Sequence, residues 1–214
     1  MFFDFFGHAY ELIINSFPNL EEIKNSHSNT IKIRIAIINC PKLMKVNISG
    51  FQNNLELVLN NLPNLTMLNC SYNQLATLDL TNFSELRVIN CSDNFLEEIK
   101  LPLDGNRLEE LDLSQNNFPS QDLTFLSHIN NLKHLKLGNN STWNDSFQRI
   151  KEGIYNRFHG SLKPIKNLTK LRELVISNTD IGSGLEYLPE SLQKFVCLAR
   201  ERPESKVQII DNQL

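Results

Sequence analysis

The eleven residues LTMLNCSYNQL, numbered 65–75, place leucine, cysteine and asparagine at a spacing that the chain repeats. The pattern returns from Leu86 as LRVINCSDNFL and from Leu108 as LEELDLSQNNF. The first leucines of these segments are 21 and 22 residues apart (65 to 86 and 86 to 108). Repetition at this period predicts stacked coils that share one core, because a single coil cannot bury its own apolar face.

Each position of the repeat has a physical role. Alternating apolar and polar residues at its start predict a short strand, and stacked coils align such strands in a parallel sheet with apolar side chains inward. The asparagine amide can donate and accept hydrogen bonds with buried backbone groups of neighbouring coils. This combination is typical of leucine-rich repeats. We therefore predict an α/β leucine-rich-repeat solenoid, a horseshoe with a concave parallel β-sheet, a mostly irregular convex side and few helices.

The register predicts a single domain over residues 1–214, with about eight coils in residues 20–198. The coils start at Leu20, Leu43, Leu65, Leu86, Leu108, Leu132, Leu171 and Leu192. The coil from Leu20 matches weakly and is expected to be distorted. In the coil from Leu132 the asparagine position falls on Asn140, and in the next coil it falls on Thr179.

Two caps and one insert complete the predicted layout. Residues 1–19 carry apolar residues at helical spacing and predict an N-terminal helical cap, whereas residues 199–214 predict a C-terminal tail or cap. Residues 120–129 predict a helix behind a serine cap. An excess of about 16 residues, placed near 141–164, contains Trp143 and Tyr155. These aromatic residues favour partner binding, but a helix folded back on the solenoid explains them equally well.

The four cysteines occupy positions that the repeat turns inward, namely Cys40, Cys70, Cys91 and Cys197. Cysteine is small and readily buried, so we predict reduced core residues rather than disulfides or metal ligands. A cytoplasmic, reducing location follows from this prediction. One alternative stays open, because strands about 5 Å apart would allow a bridge between Cys70 and Cys91 in an oxidising compartment.

Charge and motifs argue against several functions. The formal net charge of −3 provides no basic footprint for nucleic acid. No apolar run approaches the roughly 18 to 20 residues that cross a bilayer. The sequence lacks phosphate-binding glycine loops and paired cysteine or histidine metal motifs, and its histidines are scattered. We therefore predict no catalytic residues, no cofactor, no metal, and neither nucleic acid nor a membrane as partner.

The outward residues of the strands should align from coil to coil on the concave face. The predicted central column consists of Asn69, Asn90, Asp112, Lys136, Val175 and Val196. Glu110, His134 and Glu173 flank this column. Eight strands spaced by about 4.8 Å extend on the order of 34 Å, which is enough for a standard protein interface. We predict that this face binds a protein or peptide.

Part of the chain resembles the expanded leucine-rich-repeat proteins of arbuscular mycorrhizal fungi. The resemblance is carried by the Asn-Cys-Ser coils at 69–75 and 90–94, by YNRFHGSLKP at 155–164 and by the segment 176–192. It implies a horseshoe fold and protein binding, and members are sometimes joined to kinase-like domains, whose motifs do not occur here. We predict a non-catalytic interaction scaffold. The alternative is a sensing or regulatory segment of a larger signalling protein, kinase-associated or receptor-like.

Overall fold

The computed structural model describes residues 2–3, 11–25, 33–51, 55–139 and 145–213. The chain winds into a solenoid whose coils contribute short strands to one parallel sheet, here called the main sheet. In the described residues the main sheet has nine strands: β1 (Phe2–Phe3), β3 (Glu22–Asn25), β5 (Lys45–Asn47), β7 (Met67–Asn69), β9 (Val88–Asn90), β11 (Glu110–Asp112), β12 (His134–Lys136), β14 (Glu173–Val175) and β16 (Lys194–Val196). The predicted solenoid with a parallel sheet is therefore confirmed.

The middle residue of each short strand points into the core. Leu68, Ile89 and Leu111 are partners in register on adjacent strands, and each is almost completely buried. Each of the eight predicted coils contributes one strand of the main sheet. The coil from Leu20 is regular rather than distorted, since β3 pairs in register with β5 and buries Ile23.

The predicted N-terminal helix over residues 1–19 is wrong. The structure has β1 beside β3, and it has strand β2 (Glu11–Asn15) on the back of the solenoid. Branched Ile13 and Ile14 favour a strand, and β2 gains a parallel partner in the following coil. Apolar residues at helical spacing were therefore outweighed by strand pairing between coils. Residues 4–10 lie outside the described part of the chain.

The backs of the coils carry more strand than the sequence predicted. One back sheet contains β2, β4 (Ile33–Ile38) and β6 (Leu55–Asn60), and two pairs follow, β8 (Thr77–Asp79) with β10 (Glu98–Lys100) and β13 (His159–Ser161) with β15 (Asp180–Ser183). In the described residues the helices are few and short. The 3-10 helices are Gly105–Arg107, Thr124–Leu126, Lys163–Ile165 and Leu185–Tyr187, and the α-helices are α1 (Asp145–Lys151) and α2 (Val207–Asp211).

The helix predicted for residues 120–129 is only a 3-10 turn over Thr124–Leu126. The Asp122 carboxylate, not a serine, accepts the backbone N–H of Thr124 at 3.0 Å. The apolar spacing was nevertheless informative, because Leu123 and Leu126 are both buried in the core.

A ladder of asparagine side chains joins the coils, as the repeat predicted. The Asn94 amide donates to the carbonyls of Cys70 and Cys91 at 3.0 and 3.1 Å, and its oxygen accepts the N–H of Leu75 at 3.0 Å. Asn73 and Asn116 make equivalent bonds in the neighbouring coils. Buried backbone groups that the turn leaves unpaired are thereby satisfied.

The ladder position predicted for Asn140 is occupied by Asn156. Asn156 donates to the carbonyls of Leu113 and Leu137 at 2.8 and 3.0 Å, and its oxygen accepts the N–H of Phe118 at 3.4 Å. Asn140 itself lies outside the described residues. The insert therefore interrupts the coil before its ladder asparagine. In the next coil Thr179 takes this position, as predicted, and donates to the carbonyl of Ile176 at 2.7 Å.

The C-terminal segment is a fixed cap. Helix α2 packs on β15 and buries Val207 and Ile210. Ahead of it, the Arg202 side chain is only 6% exposed and donates to the carbonyl of Asn178 and to the Asp180 carboxylate. A segment that looked polar in sequence is thus anchored by a buried guanidinium group.

Candidate functional site: the open face of the main sheet

Two columns of side chains cover the open face of the main sheet. The first column is Glu22, Lys45, Met67, Val88, Glu110, His134, Glu173 and Lys194. The second column is Lys24, Asn47, Asn69, Asn90, Asp112, Lys136, Val175 and Val196. The structure therefore brings together all nine residues predicted for this face, whereas their binding to a partner stays a prediction. Val175 offers little surface, because it is only 8% exposed.

The polar members of the second column have a structural role that the sequence analysis missed. The side-chain oxygens of Asn69, Asn90 and Asp112 accept backbone N–H groups two residues later, at 3.1, 3.1 and 3.0 Å. Each of these hydrogen bonds stabilises the turn that ends the strand. The recurring Asn-x-Ser signal is explained by these turns, since a serine supplies the N–H in all three coils.

Ion pairs cross the carboxyl-terminal half of the face. Glu173 contacts Lys194 at 2.6 Å and His134 at 3.3 Å, and Lys136 lies 3.6 Å from Asp112. Hydrogen bonds from Lys194 and His134 hold the pKa of Glu173 below its usual value. Such partly exposed pairs contribute little to stability, but they set the charge pattern that a partner would meet.

Two hollows lie along this face. One of 280 Å³ is bordered by Met67, Val88 and Glu110. The other, of 500 Å³, reaches the rim of the sheet at Tyr72 and Asp93. The face is therefore recessed at the residues that carry apolar and acidic side chains.

Helix α1 of the insert is fixed beside this rim. The Arg149 guanidinium group donates to the carbonyl of Asn94 and, at 3.1 Å, to that of Gln115, and it lies 4.6 Å from the centre of the Phe95 ring. A lone arginine on a short helix gave no sequence signal for this contact. The insert thus packs on the solenoid, which was one of the two readings left open for it.

The two aromatic residues proposed as insert contacts have different outcomes. Tyr155 is partly buried, and the guanidinium groups of Arg157 and Arg202 lie 4.5 and 4.3 Å from its ring centre. Trp143 lies outside the described residues. Of the insert's other aromatic side chains, Phe147 is half exposed and Phe158 is buried.

Asp93, at the rim, has an unusually high pKa. Burial raises the pKa of Asp93 to about 6, because lost hydration outweighs the hydrogen bonds from Ser92 and Tyr72 and the charge of Arg149. Asp112 adds a smaller repulsion. The folded protein therefore binds this proton more tightly than the unfolded chain does. Stability from this group is complete below pH 3.8 and is lost as the pH rises through about 6.

Replacing Asp93 by asparagine should stabilise the protein at pH 7.5 and much less at pH 4.5. Asparagine is neutral and tolerates the positive φ of this position, which is 53°. The expected gain at pH 7.5 is about 1 kcal/mol once the partial exposure of the carboxyl is allowed for. Urea unfolding at both pH values measures it, with exposed Glu98→Gln as the control. Equal effects at the two pH values would show that the Asp93 carboxyl is ordinary.

The described residues contain no group of three or more His, Cys, Asp or Glu side chains able to hold a metal ion. Within them there is also no helix with the length and apolar character needed to cross a membrane. All four cysteines are free and buried. A hydrogen bond with Cys70, together with burial, raises the pKa of the Cys91 thiol well above its usual value.

Residues 107–129 match the family model described as Leucine Rich Repeat. The protein has a leucine-rich-repeat fold. Among solved structures, the chain is similar to a plant peptide hormone receptor, RGFR1 in complex with RGF2, at 20% sequence identity and a TM-score of 0.44. That similarity covers 82% of this chain and 39% of the receptor chain. No curated protein matches the sequence.

Proposed function

We propose that this protein is a non-catalytic interaction scaffold that binds a protein or peptide on the open face of the main sheet, the face predicted to be concave. One observation carries the proposal. Met67, Val88 and Glu110 lie side by side on this face and border a hollow. Apolar side chains flanked by polar ones in a recess are suited to a partner's surface.

The structure changes which residues are best suited to contact a partner. The oxygens of Asn69, Asn90 and Asp112 are engaged in turns, so their replacement would disturb the coils as well as the face. Val88 and Glu110 are register partners, and no side-chain bond of either is found in the described part of the chain. These two positions can therefore be altered with little effect on folding.

A reducing, cytoplasmic location belongs to the same proposal. It is supported by four free cysteines that serve as core residues. The kinship with repeat proteins of arbuscular mycorrhizal fungi also remains a proposal, supported by the Asn-Cys-Ser coils at 69–75 and 90–94.

In affinity capture from the source cells, the double variant Val88→Asp and Glu110→Lys is expected to recover at least tenfold less partner than the wild type. The reason is that the variant places unmatched charges in the interface. A matched control exists on the back of the solenoid. Thr77 and Glu98 are exposed register partners there, so Thr77→Asp with Glu98→Lys makes the same charge changes. The control should retain the partner. Equal recovery by both variants, or loss only in the control, would exclude the open face as the binding surface.

A further inference from the structure

The first column contains two charged side chains that flank an apolar pair. Lys45, Met67, Val88 and Glu110 are successive register partners on β5, β7, β9 and β11. Lys45 and Glu110 are exposed, and neither has a side-chain hydrogen bond or ion pair among the described residues. The neighbouring acids Glu22, Asp112 and Glu173 are paired with lysines, and Glu22, the register partner of Lys45 on β3, lies 3.1 Å from Lys24. The face thus offers one positive end, an apolar centre and one negative end.

Hydrogen-bond donors lie beside the apolar pair. Asn69 and Asn90 use their side-chain oxygens in turns, and no acceptor for the amide nitrogen of either is found in the described part of the chain. Both residues border the 280 Å³ hollow together with Met67 and Val88. Amide donors next to an apolar recess match the carbonyl groups of an extended backbone, which need donor partners when they leave water.

The spacing of the column sets the spacing of its partner. Adjacent strands are about 4.8 Å apart, so Lys45 and Glu110 are separated by about 14 Å. An extended chain rises about 3.3 Å per residue and shows every second side chain on one face, so four residues cover this distance. An apolar side chain halfway between the two charged ones would then reach Met67 and Val88.

We propose that the partner is an extended peptide segment with an acidic and a basic residue four positions apart and an apolar residue midway between them. The acidic side chain pairs with Lys45, the apolar one packs on Met67 and Val88, and the basic one pairs with Glu110. The segment therefore lies across the strands of the main sheet, with its acidic residue at β5 and its basic residue at β11. This inference rests on the proposed function and adds the chemistry of the partner to it.

Selection from a displayed library of random linear dodecapeptides tests the inference. The wild-type protein is expected to enrich peptides with the acidic, apolar and basic residues at this spacing. Glu110→Lys should enrich peptides with acidic residues at both ends, and Lys45→Glu should enrich peptides with basic residues at both ends. The double variant exchanges the two charges, so it should again enrich peptides with one acidic and one basic residue at this spacing, in the opposite order along the peptide. A peptide chosen by the wild type should bind each single variant about tenfold more weakly, because a like charge replaces an opposite one.

Several outcomes would overturn the inference. They are a consensus without charge preference, a consensus unchanged by Glu110→Lys, and a library from which no peptide is retained. In each case the capture experiment with the Val88 and Glu110 double variant still decides the proposed function, so the two failures are distinguishable. Thermal unfolding of the variants checks folding, and little change is expected because Lys45 and Glu110 are exposed.

Discussion

Replacing Asn156 by leucine is expected to lower the free energy of unfolding by about 3 to 5 kcal/mol, although leucine is the more hydrophobic residue. The Asn156 side chain is fully buried and binds the carbonyls of Leu113 and Leu137 and the N–H of Phe118. Leucine would leave the Leu137 carbonyl and the Phe118 N–H unpaired inside the solenoid, whereas the Leu113 carbonyl would keep only its bond from Asn116. Each buried group left unpaired costs about 1 to 3 kcal/mol. Urea unfolding followed by circular dichroism measures the loss.

Two leucine variants serve as controls for Asn156. Asn82 is exposed on the back of a coil, so Asn82→Leu should change the free energy of unfolding by less than about 0.5 kcal/mol. Asn140 is the residue that the repeat spacing selected for the ladder, and Asn140→Leu should cost much less than Asn156→Leu. A larger loss for Asn140 than for Asn156 would restore the sequence-based assignment and contradict a ladder that includes Asn156.

The ladder shows how far the sequence determines this fold. Leu68, Ile89 and Leu111 were placed correctly because each coil repeats the same local pattern and packs on a copy of itself. The pattern failed where a choice depended on distant residues. The repeat spacing selects Asn140, whereas hydrogen bonds to the preceding coil select Asn156. Periodicity carries no information about which of two candidates closes an interrupted coil.

The site was predictable to the same limited extent. Period-two alternation placed Glu110 and His134 on the same face, since a strand directs alternate side chains to opposite sides. It could not show that the Asp112 oxygen caps a turn, nor that Arg149 from the insert binds the rim beside Asp93. These contacts depend on side-chain geometry and on burial, and neither follows from spacing.

The other large effect is expected at Arg202, whose replacement by leucine should cost about 3 kcal/mol of unfolding free energy. The guanidinium group is buried, donates to the Asn178 carbonyl at 2.9 Å and contacts the Asp180 carboxylate at 3.2 Å. Leucine keeps apolar volume but leaves the Asn178 carbonyl and the Asp180 carboxylate without this partner. Arg200→Leu, at an exposed position two residues earlier, is the matched control and should have little effect.

Replacement of Arg202 also tests the role of Tyr155, which was predicted to contact a partner. Arg202 lies 4.3 Å from the Tyr155 ring centre and so links the C-terminal cap to the insert. Tyr155→Ala should destabilise the wild-type protein more than it destabilises the Arg202→Leu variant. The difference, which is the coupling free energy between the two side chains, should be about 0.5 to 1 kcal/mol. Unfolding of the two single variants and the double variant gives this coupling directly. If Tyr155→Ala weakens partner capture while the coupling is zero, the ring belongs to the binding surface and not to the cap.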